Sequence, residues 1–149
     1  MATMRNSGAP TIEALNELLR GELAAVETYD KALDRLEDDE LKGQLESCRA
    51  SHQDRAERLR EMVAQLGGQP ADTSGVWGAF TRFLEGGATL LGDRATLAML
   101  EEGEDHGLRE YEENLEKLDV DTRIEVTTEL MPAQVLTHEM LSTLKEVVR

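Results

Sequence analysis

Cysteine, aromatics, proline and positive charge are all scarce in this chain, and each scarcity excludes something. The one cysteine, Cys48, permits no internal disulfide, which fits a reducing cytoplasm. Aromatic residues make up only 3% of the sequence, so Leu, Ala, Val and Met must fill the core. Three prolines in 149 residues leave long stretches in which helices can run uninterrupted. Sixteen Lys and Arg stand against 31 Asp and Glu, a formal charge of -15. That balance argues against nucleic acid or an anionic membrane surface as a partner, and suits a solvated acidic surface or one that draws cations. No apolar run approaches the roughly 20 residues that a membrane helix needs. Met1 to Pro10 carries no hydrophobic signal core, so the expectation is a cytoplasmic protein without a membrane partner.

What the chain does have is a motif written twice. Gly21-Glu22, six residues, then Tyr29 recurs as Gly103-Glu104, six residues, then Tyr111, and Leu33 and Leu36 recur as Leu115 and Leu118 at the same offset of 82. The pattern predicts two related helical hairpins. In the first helix Leu15, Glu22, Tyr29 and Leu36 step by seven, and in the third Leu97, Glu104, Tyr111 and Leu118 do the same. A sevenfold step is the seam of a helical bundle, so both glutamates are expected to face inward.

Taken in order, residues 1–10 read as a flexible leader and 11–149 as one domain. Helices are expected at about 11–36, 39–66, 94–118 and 122–147. The second carries Leu45, His52, Leu59 and Leu66 on one sevenfold series and stops at Leu-Gly-Gly-Gln-Pro, residues 66–70. The connection holds Trp77, Phe80 and Phe83, read as a short helix over 75–84 that lids the bundle or packs on a partner subunit, with an aromatic cofactor site as the alternative. The fourth helix starts at Asp121, with Ile124, Met131, Val135, His138, Leu141, Leu144 and Val148 inward or flanking, and Pro132 is expected to kink it. The fold class is therefore all-α, an antiparallel four-helix bundle.

Each helix thus delivers one metal-capable side chain to the seam: Glu22, His52, Glu104 and His138. A buried unpaired charge costs several kcal/mol, whereas a buried leucine stabilises by roughly 1.5 to 3. A metal, a cationic side chain or a proton must therefore compensate the two carboxylates. Tyr29 and Tyr111 read as core residues, as hydrogen-bond donors to the carboxylates, or as redox groups.

Leu15-Asn16-x-x-Leu19-x-x-Glu22-Leu23-x-Ala25-x-x-x-Tyr29 resembles the first helix of bacterioferritins and related ferritin-like proteins, as does the Leu-Gly-Gly-Gln-Pro end of the second helix. Residues 73–118 resemble a bacterial family of ferritin-like four-helix-bundle proteins of unknown function, through a Gly/Trp segment, Glu101-Glu102-Gly103-Glu104-Asp105 and the downstream Tyr111. The resemblance implies a ferritin-like bundle in which Glu22 corresponds to a ligand of a two-metal carboxylate centre.

The chain also departs from that pattern. Such centres take Glu-x-x-His from the second and fourth helices. Here the second helix offers Arg49-x-x-His52 or His52-x-x-Arg55, and counting back from Gly-Gln-Pro puts His52 at the glutamate position and Arg55 at the histidine position. The fourth offers only Val135-x-x-His138 or His138-x-x-Leu141. The absence argues against full di-iron oxidase or ferroxidase activity. Two readings follow. One is a metal-binding or stress-associated protein whose Glu22, His52, Glu104 and His138 hold iron, manganese or zinc, supported by Tyr29, Tyr111 and Arg55. The other is a metal-free structural or interaction bundle in which the inward glutamates pair with His and Arg. A homodimer or higher homo-oligomer, formed through 76–84, is expected in either case.

Overall fold

The computed structural model describes residues 2–75 and 92–148. Its first hairpin pairs α1 (Ala2–Arg35) with α2 (Asp39–Gln65), turned over a short link in which Asp38 caps α2 by accepting from Leu41 N at 2.9 Å. The second pairs α3 (Asp93–Asn114), tightened to a 3-10 turn over Leu115–Lys117, with a fourth rod in three parts. Those parts are α4 (Val120–Glu125), a π-helical turn (Val126–Leu130) and α5 (Met131–Val147). The four rods form the expected all-α bundle. No described helix is long and apolar enough to cross a membrane. The aromatic segment 76–84, with the interface assigned to it, lies outside the described residues.

Three differences from the sequence reading have physical causes. First, α1 begins at Ala2, so residues 2–10, expected as a flexible leader, continue the helix. Pro10 lies inside that helix, and its fixed φ is itself helical. Secondly, Pro132 sits in the first turn of α5, directly after the π turn, so its missing N–H is absorbed by a change of helix type. Thr127 and Thr128 hydroxyls donate to the carbonyls of Arg123 (2.9 Å) and Ile124 (2.7 Å), one turn back.

Thirdly, the fourth rod turns a different face inward from the one expected. Its buried positions run Thr122, Val126, Leu130, Gln134, four apart, and then Thr137, Leu141, Leu144 at ordinary helical spacing. Leu141 and Leu144 are inward as expected, but Ile124 and Val135 are exposed.

The helix ends are fixed locally. Gly67 closes α2 in the left-handed region (φ 82°), with Gly68 N donating to Val63 O at 3.0 Å. A β-carbon on Gly68 would meet Ile12 Cγ2 at 2.7 Å, so the chain passes against α1 only as glycine. Asn16 then staples the outgoing loop, donating to Gln69 O (3.0 Å) and accepting from Ala71 N (2.8 Å). The two stretches that resemble ferritin-like proteins, Leu15-Asn16 and Leu-Gly-Gly-Gln-Pro, are one contact in space.

The core is divided. One apolar cluster includes Leu15, Leu19, Leu59, Val63, Tyr111, Val126 and Leu130. A second includes Tyr29, Leu36, Leu45, Cys48, Leu97, Leu100 and Leu141. Between them in sequence, on all four rods, lie buried polar side chains: Glu22, His52 and Arg55, Glu104, and Gln134 and Thr137.

Candidate functional site

The sevenfold series puts Glu22 and Glu104 at facing mid-helix positions of α1 and α3, buried at 3% and 2% exposure. His52 from α2 stands between them. Its Nδ1 is 2.8 Å from Glu22 Oε1 and its Nε2 is 2.6 Å from Glu104 Oε2. One helical turn on, Arg55 Nε lies 3.1 Å from Glu22 Oε2, and its guanidinium also donates to Thr137 Oγ1 at 3.2 Å and to Gln134 Oε1.

The remaining lone pairs are met from the other rods. Tyr29 OH donates to Glu104 Oε2 (2.6 Å) and Tyr111 OH to Glu22 Oε2 (3.0 Å), each tyrosine reaching in from a different apolar cluster. Thr137 Oγ1 (2.7 Å) and Gln134 Nε2 (3.0 Å) donate to Glu104 Oε1, and Gln134 Nε2 also reaches Glu104 O at 2.9 Å. Gly107 makes that reach possible, because a β-carbon there would stand 2.9 Å from Gln134 Nε2.

Protonation follows from this geometry. Burial alone would strip the proton from His52, but the Glu22 and Glu104 carboxylates outweigh it and raise its pKa above the ordinary histidine value. A doubly protonated ring donates once to each carboxylate. Arg55 Nη2 also lies 3.1 Å from His52 Nδ1. A neutral ring accepting from Arg55 there would turn its lone pair on Glu22 Oε1, so we assign the Nδ1 proton to Glu22.

Burial likewise opposes the charge on Glu104, yet His52 and the donors Tyr29 and Thr137 hold its pKa below the usual carboxylate range. Burial also works against Arg55, and Glu22 leads the carboxylates and tyrosines that keep it charged. Burial, then the neighbouring carboxylate, pushes both tyrosines well above their ordinary pKa, so they stay protonated donors. Two carboxylates, one imidazolium and one guanidinium leave the cluster formally neutral.

The expected ligand set is therefore only partly assembled. Glu22, His52 and Glu104 converge, with Tyr29, Tyr111 and Arg55 around them. His138 does not: it lies on the flank, paired with Asp105 on α3, while Thr137, on the same helix face as Leu141 and Leu144, takes the seam. Sequence reasoning missed Gln134 and Thr137. The available signal was spacing: Gln134-x-x-Thr137 has the interval of Glu-x-x-His, as His52-x-x-Arg55 does, and glutamine is the amide counterpart of glutamate. All six positions of a two-metal carboxylate centre are thus represented, four of them by other residue types.

This donor set does not fit a metal. Every oxygen of both carboxylates is met by a protein donor, both His52 nitrogens are committed, and a guanidinium contacts Glu22. Among the described residues, no three His, Cys, Asp or Glu side chains converge as a metal ion requires. Beside the cluster, between α1 and α3, a slot of about 40 Å³ passes Gly21, Ala25, Gly103 and Gly107. That is room for roughly three water molecules.

The family model of a domain of unknown function, DUF2383, matches residues 10–117, and the chain belongs to that family. No curated protein matches. Among solved structures, the chain is similar to one described as "ferritin like, diiron-carboxylate proteins" from Bacillus anthracis str. Ames, at 22% identity and a TM-score of 0.73, over 93% of this chain and 97% of that one. At that identity the likeness establishes the ferritin-like fold.

Proposed function

We propose that this DUF2383 protein is a ferritin-like bundle that works without a metal, as a structural or interaction module whose inward carboxylates are held by protons and cationic side chains. The observation that carries this reading is the position of His52 between Glu22 and Glu104, with Arg55 paired to Glu22. A two-metal centre needs anionic and neutral ligands around open cation positions; here two fixed cations supply the compensating charge.

A second reading rests on the similar structure from Bacillus anthracis, whose description names a diiron-carboxylate protein. In it, this chain would bind iron, manganese or zinc through Glu22, Glu104 and His52, with Arg55 swung away. Metal content decides between the two. Protein purified without a histidine tag is offered iron(II), manganese(II) or zinc(II), desalted and assayed. The metal-free reading expects well under one metal per chain, with nitrogen NMR showing both ring N–H groups of His52 below neutral pH. Stoichiometric metal that disappears in the Glu22→Ala, Glu104→Ala double variant sinks it in favour of the second reading.

A further inference from the structure

The fourth rod carries an apolar stripe on its outer face as well as on its inner one. Val120, Ile124, Thr128 and Pro132 each stand two residues before a buried position of that rod, and Leu136, Met140, Thr143 and Val147 continue the series at steps of three or four. All eight are exposed, Val120, Ile124, Leu136 and Val147 by more than half of their surface. None is charged, in a chain of which 32% is Asp, Glu, Lys and Arg. Arg123, Glu139 and Glu146 each come one residue before a stripe position, so they form a charged margin along one edge of it.

Size, symmetry and charge favour a second copy of this chain as the occupant. The stripe runs the length of α4, the π turn and α5. At 1.5 Å per residue it is about 40 Å long, and a twin rod laid along it covers on the order of 700 Å² per copy, against roughly 800 Å² per partner in a standard interface. An apolar surface of that extent on a folded chain marks an interaction site. The stripe is also self-complementary. Turned end for end about the Pro132–Leu136 turn, it sets Val120 against the partner's Val147, Ile124 against the partner's Thr143, and Thr128 against the partner's Met140.

With a formal charge of -15 on each chain, an uncharged face is where two copies can approach. The margin agrees with the antiparallel sense. The Arg123 guanidinium donates to the carbonyls of Leu115 (2.9 Å) and Leu118 (3.0 Å), and to no carboxylate among the described residues. End-for-end pairing brings it beside the partner's Glu146 at both ends of the contact, and sets Glu139 beside the partner's Thr127 rather than another carboxylate.

We propose that this protein forms a twofold dimer through the outer face of its fourth rod, with the two rods antiparallel. The contact lies away from the central cluster, so it does not depend on whether the core holds a metal. Sedimentation equilibrium of the full chain should show a reversible dimer with a Kd in the micromolar range. Leu136→Glu and Ile124→Glu should each weaken it at least about tenfold, while Ala50→Glu, on the exposed side of α2, leaves it unchanged. Either glutamate variant suffices where a melt shows the other to be unfolded. For the orientation, Val120→Cys mixed with Val147→Cys, with the buried Cys48 left in place, should give a disulfide-linked heterodimer on mild oxidation. A monomer at every concentration, a dimer indifferent to both glutamate variants, or Val120→Cys linking to itself would overturn the proposal.

Discussion

Arg55 Nε lies 3.1 Å from Glu22 Oε2, with both side chains almost wholly buried. A cation in that place makes Glu22 tolerable inside a bundle, and removing it should expose the cost. Arg55→Met is expected to destabilise the fold by about 3 to 5 kcal/mol, because an unpaired carboxylate is left behind. Adding Glu22→Gln should recover a large part of that loss. Urea unfolding of the singles and the double checks this as a thermodynamic cycle. A cost under about 1 kcal/mol for Arg55→Met would remove the charge-compensation argument.

His52 predicts a pH dependence of definite sign. Its folded-state pKa is raised, so the stability it contributes is fully present below about pH 6.5, its ordinary value, and is lost as pH rises through the folded-state value. Glu104 has a lowered pKa, so its contribution is present above the usual carboxylate value and disappears as pH falls through the folded value. The urea midpoint gap between the native protein and His52→Gln should therefore be widest from about pH 5 to 6.5 and shrink at alkaline pH. His138→Ala, which touches only the flank, should change stability by no more than about 0.5 kcal/mol.

Two glycines inside helices should respond oppositely to alanine. Gly43 has nothing within 4 Å of an added β-carbon, so Gly43→Ala should stabilise by about 0.5 to 1 kcal/mol. At Gly107 the added carbon would drive Gln134 away from Glu104, a loss of about 1 to 3 kcal/mol that exceeds the helix-propensity gain. Melting temperatures of the two variants should move in opposite directions; a shared direction would contradict the Gln134 placement.

The chain contains two tyrosines, both buried and both bound to carboxylates, so phenolate absorbance reports on this cluster alone. On alkaline titration it should stay flat well past the ordinary tyrosine pKa and then rise together with unfolding seen by circular dichroism. Tyr29→Phe and Tyr111→Phe should each cost about 1.5 to 3 kcal/mol, the value of one hydrogen bond to a charged group.

The sequence by itself determined the bundle, the two related hairpins, and the inward facing of Glu22, Tyr29, His52, Glu104 and Tyr111. All of these follow from one repeated step of seven, which is a property of the backbone and needs no knowledge of neighbours. The tertiary structure alone decided what the carboxylates hold. His138 was the metal-capable residue nearest the expected seam, but the face of α5 that packs inward is that of Gln134, Thr137, Leu141 and Leu144, which leaves His138 on the flank. The inward face was not legible because Ile124, Met131 and His138 form a sevenfold series of their own, and only packing against the other rods selects between two such series. The role of Arg55 was open for the same reason: an arginine one turn from a buried histidine can point to water or to a carboxylate. Only the convergence of all four rods turned it onto Glu22, and made a pair of buried glutamates a neutral cluster.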